Sequence, residues 1–297
     1  MSTTSYNCTN DAQRSEGLAH AQKAIAAKQV IVMPTDTVYG IAADAFSPQA
    51  VATLLAAKGR GRNMPPPVLI PRIQTMDGLA TDIGEDAKKL AEKFWPGGLT
   101  LIFHAQPSLT WDLGDTVGTV ALRVPDDQLA LDLLTITGPL AVSSANRTGQ
   151  AAAQTASEAR EQLAESVEVY LEAGFRPLEG TSAVPSTIVD ATGLRLRIVR
   201  EGAISLEQIR ELVPSALGLG EEPVMWSPTP DATAEVEAGE SADPAEEETP
   251  VSETEAPVAE TEAPATEIAD EAHDAGDAPA AETATAAVVE ETGTTQN

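Results

Sequence analysis

The chain has 297 residues, with 18 Lys+Arg against 46 Asp+Glu and a formal charge of −28. One cysteine and three scattered histidines exclude a disulfide framework, a cysteine metal knuckle and a histidine-built metal site. The longest apolar runs, Val30–Met33 and Leu99–Phe103, are too short for a bilayer span. The polar N-terminus lacks the order of a signal peptide, so a cytoplasmic enzyme or binding protein is expected.

Residues 1–13 are expected to be a flexible N-terminus and 14–214 one folded domain. Arg14–Lys28 is Ala-rich and reads as a helix that leads into the apolar strand Val30–Met33. Ser47-Pro48 has the form of an N-cap with proline at the first helical position. Val51, Leu54 and Leu55 then recur at helical spacing up to Lys58. Val68–Ile70 is a short strand, Asp86–Phe94 a helix, and Leu99–His104 and Val117–Val124 are strands. Gln128–Leu134 reads as helix, Leu140–Ser143 as a buried strand and Glu158–Ala164 as helix. Strands are expected near Val167–Leu171, Thr187–Asp190 and Leu194–Val199. A last helix starts at Ser205, where Gln208 completes a capping box, and stops before Pro214. Alternating strands and helices argue for an α/β domain.

From about Ser215 the composition changes. All 18 basic residues lie between Arg14 and Arg210, whereas 22 of the 46 acidic residues lie in 215–297. Such a segment buries too little apolar surface to offset chain entropy of roughly 1–2 kcal/mol per residue, so a disordered C-terminal tail is expected. Its acidity suits solubility or an electrostatic tether for basic partners, and says nothing against a cationic pocket in the folded part.

Several loops could carry chemistry. PTDTVYG, Pro34 to Gly40, follows a strand end, where open α/β sheets place ligand contacts. Thr35 and Thr37 could hydrogen-bond a ligand, or Thr and Asp36 could satisfy their own turn. KGRGRNMPPP, Lys58 to Pro67, sets Lys58, Arg60 and Arg62 among glycines, which fits phosphate binding or a solvated basic loop. It is not a Walker A sequence. SSANRTG, Ser143 to Gly149, offers hydroxyl and amide groups after a strand, as a ligand contact or a helix cap. Arg123 in GTVALRVP and Arg200 in RIVREG sit in apolar strands, where each guanidinium needs an anion.

In this order, PTDTVYG, KGR, FWPGGLTL, TVALRVP, SSAN-x-[ST]G, STIVD and VREG resemble the YrdC-like domain family, the threonylcarbamoyl-AMP synthases, over about residues 14–205. The resemblance implies an α/β fold with a twisted, largely parallel or mixed sheet, flanking helices and a concave cationic face. It implies a nucleotidyltransferase that joins L-threonine, bicarbonate and ATP into threonylcarbamoyl-AMP, releasing pyrophosphate. Lys58 and Arg60 stand at its catalytic positions. Lys58, Arg60, Thr119, Asn146 and Arg200 stand where the family contacts ATP, and Thr37, Arg123, Ser144 and Ser186 where it contacts L-threonine. Mg2+ would accompany ATP, with no protein ligand set assigned. A downstream transferase complex, and tRNA through it, are the implied partners. Gly61, Met64 and Pro71 depart from the family pattern, and the acidic tail replaces the second domain of larger members. Competing expectations are an RNA-binding module of the same fold, or carbamoyl chemistry on another acceptor.

Overall fold

The computed structural model describes residues 3–178 and 184–222, all within the first of the chain's two units, Met1–Thr229 and Pro230–Asn297. Its strands are β1 Thr4–Asn7, β2 Ile31–Met33, β3 Gly40–Asp44, β4 Val68–Leu69, β5 Ala80–Thr81 and β6 Leu99–Ala105, then β7 Thr119–Arg123, β8 Leu140–Ser144, β9 Val169–Glu172, β10 Thr187–Asp190 and β11 Arg197–Arg200. The helices are α1 Asp11–Ala26, α2 Pro48–Lys58, α3 Glu85–Phe94, α4 Gln128–Thr137, α5 Ala156–Leu163 and α6 Leu206–Leu212.

Local chemistry sets the helix ends. Asn10 opens α1 by accepting from the amides of Ala12 and Gln13, and Asp127 opens α4 the same way at Leu129 and Ala130. Ser47 caps α2 with Pro48 in its first turn, and Gly59, at φ 65°, closes it in the left-handed region that favours glycine. Ser205 and Gln208 form the expected capping box of α6.

The strands join in one mixed sheet in the order β1-β9-β2-β3-β8-β4-β7-β6-β10-β11, with β5 on β6. Both faces are covered, so successive residues of one strand enter different cores. Val30 and Val32 pack in the larger core with residues of α2, α3, α5 and α6. Ile31 and Met33 pack in the smaller one against α1 and α4. Continuous apolar runs rather than alternation are the result.

Both expected boundaries of the domain move outward. Residues 1–13 are not simply a flexible lead: Thr4–Asn7 pairs in parallel with β9, and Cys8 is buried in the smaller core. At the other end Leu217 accepts from the Ile198 amide and donates its own to Leu196, and Ala216 and Leu217 are buried. The expected disordered tail, from 223 onward, lies outside the described residues. Among the described residues no helix is long and apolar enough to cross a membrane.

Candidate active site

Seven neighbouring strands, β3-β8-β4-β7-β6-β10-β11, bring residues from distant parts of the chain to one cavity of about 340 Å3. Thr35, Thr37 and Tyr39 come from the loop between β2 and β3, Ser143 and Ser144 from the end of β8, and Arg123 from the end of β7. Thr100, Ser186 and Arg200 close the far side. The remaining wall is largely apolar, with Met64, Pro65, Pro67, Leu69 and Val142.

Three guanidinium groups dominate the electrostatics. Arg123 is 6 % exposed and held in a socket: Nε donates to the Gly97 carbonyl at 2.8 Å, Nη1 to Thr37 Oγ1 at 3.2 Å and Nη2 to Asp36 Oδ1 at 2.5 Å. Asp36 also accepts from the Asp126 amide at 3.0 Å, so it orients Arg123 and ties two loops together. Among the described residues three of Arg123's five N–H donors are engaged, which leaves two for a carboxylate. Arg200 donates through Nε and Nη2 to the Ser186 carbonyl and through Nη2 to Ser186 Oγ, which shares a hydrogen bond with Thr100 Oγ1. Arg60 donates from Nη1 to Ser143 Oγ at 3.2 Å, while its Nε is buried without a partner among the described residues.

Asp36 balances Arg123, but neither Arg60 nor Arg200 makes an ion pair among the described residues. Partial burial lowers the pKa of the half-buried Arg60 and of the more exposed Arg200, and for Arg200 the charges of Arg123 and Arg60 add to the effect. Guanidinium groups stay protonated in proteins, so both present a positive charge that an anion would balance. The cavity is built for negatively charged ligands with hydroxyl-binding groups beside them.

Of the expected site residues, Thr37, Arg123, Ser144, Ser186, Arg60 and Arg200 line this wall. Lys58, Thr119 and Asn146 do not. Lys58 is 1 % exposed, and its ammonium donates to the carbonyl of Ser144, to that of Asn146 at 2.7 Å and to Asn146 Oδ1 at 3.4 Å. Burial, with the nearby Arg60 charge, brings its pKa down to about 7. The Asn146 amide donates at 2.8 Å to the carbonyls of Arg147 and Gln150, bracing the same loop. Thr119 Oγ1 donates to the Thr116 carbonyl at 2.7 Å. Arg62 turns away to Asp112 and Asp115.

Thr100 is a wall residue that no motif singled out, and its hydroxyl shares a hydrogen bond with Ser186. Ser143, the first residue of the SSANRTG segment, lines the cavity and accepts from Arg60, and Gly97, outside the wall, holds Arg123 through its carbonyl. Met64, one of the departures from the family pattern, lines the cavity, whereas Gly61 and Pro71 do not.

Residues 23–202 match the Sua5/YciO/YrdC family model, described as "Telomere recombination". A Mycobacterium tuberculosis (strain CDC 1551 / Oshkosh) protein provisionally named threonylcarbamoyl-AMP synthase is 49% identical over 211 residues, 71% of this chain and 95% of its own. The crystal structure of Pyrococcus abyssi Sua5 complexed with L-threonine is 30% identical, with a TM-score of 0.64. The match covers 68% of this chain and 58% of that one. Escherichia coli YciO, at 20% identity and a TM-score of 0.60, covers 70% of this chain and 97% of its own, and shares the fold.

Proposed function

The chain belongs to the Sua5/YciO/YrdC family, and on that premise we propose that it is an L-threonylcarbamoyladenylate synthase. It makes threonylcarbamoyl-AMP and pyrophosphate from L-threonine, bicarbonate and ATP. The observation that carries this reading is the convergence of Arg60, Arg123 and Arg200 on one hydroxyl-lined cavity.

In this reading Arg123 takes the threonine carboxylate with its two available donors, and Thr37, Ser144 and Ser186 lie beside it for the amine and hydroxyl. Arg60 and Arg200 face the phosphates, where the unpartnered Arg60 Nε gains an acceptor. The threonine amine adds to bicarbonate and loses water to give a carbamate. A carbamate oxygen then attacks the α-phosphorus of ATP, and the bond to the departing pyrophosphate breaks. No side-chain nucleophile is needed; the protein supplies positioning and charge neutralisation. Lys58 and Asn146 act at one remove by fixing the backbone of Ser144.

The wall holds hydroxyl and guanidinium groups but no carboxylate, and no group of three His, Cys, Asp or Glu among the described residues could hold a metal. This donor set does not suit a resident Mg2+, so the ion would arrive on ATP with phosphate and water ligands. The product, a mixed anhydride, would pass in the cytoplasm to a transferase complex that places the threonylcarbamoyl group on an adenosine beside the tRNA anticodon.

The test is pyrophosphate release from ATP by the full chain, with L-threonine and bicarbonate each omitted in turn. Release is expected only when both are present; release that ignores threonine rejects the reading.

A further inference from the structure

Arg62 shares the basic loop of Lys58 and Arg60 but faces away from the cavity. Its Nη1 and Nη2 donate to the two carboxylate oxygens of Asp112 at 3.1 and 2.8 Å, and its Nε lies 3.4 Å from Asp115. Its carbonyl accepts from the Asp115 amide at 2.8 Å. Gly114, at φ +111°, lets the two loops touch, since a Cβ there would stand 2.6 Å from the Arg62 carbonyl oxygen and 3.6 Å from Pro65. Asp112 Oδ1 also accepts from the Gly114 amide at 3.1 Å, a second hold on the carboxylate that receives Arg62.

The loop holding these acids is itself anchored. Leu113 is buried in the larger core, Leu109 and Trp111 pack against it, and Trp111 stacks on Phe46 with ring centroids 5.5 Å apart. The segment on the other side of the contact carries Arg60, Met64, Pro65 and Pro67, all on the cavity wall.

We propose that Arg62 is a positioning residue, tying the wall segment 60–67 to a post formed by residues 109–115 and so holding Arg60 at the polyphosphate of ATP. The proposal rests on the reading of the cavity as the ATP site. Arg62 and Asp112 are each about half exposed, and a single exposed ion pair contributes little. Here a bidentate pair, a second acid, a backbone hydrogen bond and a glycine-only approach converge on one residue.

The rival role, Arg62 as a direct phosphate ligand, gives the opposite sign for one variant. Asp112→Ala removes a negative charge near a cationic site, so simple electrostatics tightens anion binding. Loss of the tie weakens it. The experiment is calorimetric binding of ATP, and separately of inorganic tripolyphosphate, to the full chain at fixed salt. Asp112→Ala is expected to weaken both by about two- to fivefold, in keeping with the modest coupling of an exposed pair. Arg62→Ala/Asp112→Ala should be no weaker than Arg62→Ala alone. Gly114→Ala, which changes no charge, should weaken both as well. In the pyrophosphate-release assay KM for ATP should move with these affinities while kcat and KM for L-threonine stay within twofold of wild type. Tighter or unchanged binding by Asp112→Ala, or unchanged binding by Gly114→Ala, overturns the proposal. If tripolyphosphate binding follows the expected pattern but the wild type shows no threonine-dependent turnover, the tie stands and the reaction reading falls.

Discussion

Lys58 has its ammonium enclosed by the carbonyls that shape the Ser144–Asn146 turn, which makes its charge a matter of stability as well as function. An unfolded lysine keeps its proton up to 10.5, whereas burial and Arg60 bring the folded value to about 7. Between those pH values the unfolded chain binds more protons, so this residue's contribution to stability rises with pH, by at most about 1.4 kcal/mol per unit. Below pH 7 the group is charged in both states and its contribution is flat. Denaturant unfolding of wild type and Lys58→Met at pH 7.5 and 9.5 isolates the effect. The wild type should gain stability relative to the variant as pH rises; a difference that does not change with pH would mean that the buried ammonium keeps an ordinary pKa. Turnover should fall in Lys58→Met at both pH values, because the Ser144 and Asn146 carbonyls lose their donor and the turn relaxes. A lysine at a helix C-terminus looks the same in sequence whether it faces phosphate, solvent or its own backbone. That ambiguity explains why Lys58 was legible as important but not as a brace.

Elements were easiest to read where local chemistry alone decides them. The Ser47-Pro48 and Ser205/Gln208 caps and the apolar runs of β2, β6 and β8 needed no tertiary information. β1 was hidden because TSYN alternates half-buried with exposed residues at a sheet edge, and β3 because GIAAD is poor in β-branched residues and follows a turn-like loop. The crossings that assemble the cavity were equally illegible, since β4 pairs with both β7 and β8 across long sequence separations. One such crossing is tight enough to test. A Cβ on Gly202 would stand 2.2 Å from the Pro185 carbonyl oxygen and 2.5 Å from the Ser186 carbonyl carbon, both backbone atoms. Ser186 is the residue that grips Arg200. Gly202→Ala should therefore cost about 1–3 kcal/mol, as overpacking does, and reduce pyrophosphate release beyond what the folded fraction explains. Gly78→Ala, where nothing lies within 4 Å of the added carbon, is the control and should leave turnover unchanged. Equal behaviour of the two variants would show that the contact between Gly202 and Ser186 does not position Arg200.

At the scale of the whole molecule, the change in composition near Ser215 marks where basic residues end, but not where the fold ends. The last strand, β11, carries Arg200 into the cavity and is covered by residues 216–221. Leu217 exchanges backbone hydrogen bonds with Leu196 and Ile198, Arg210 pairs with the Glu221 carboxylate and also donates to the Ala216 carbonyl, and Arg197 donates to the Glu221 carbonyl. A chain ending at Pro214 loses all of these contacts and uncovers the strand beside the proposed phosphate site. A chain ending at Glu222 keeps them while shedding most of the acidic residues beyond 214. The shorter chain should be destabilised by about 2–5 kcal/mol, the range for deleting a buried large apolar side chain, with a lower unfolding midpoint and little threonine-dependent pyrophosphate release. The chain ending at Glu222 should match the full chain in both. Equal stability of the two truncations would place the true domain boundary back at Pro214, whereas loss of activity in the longer one would assign the acidic segment a part in the reaction.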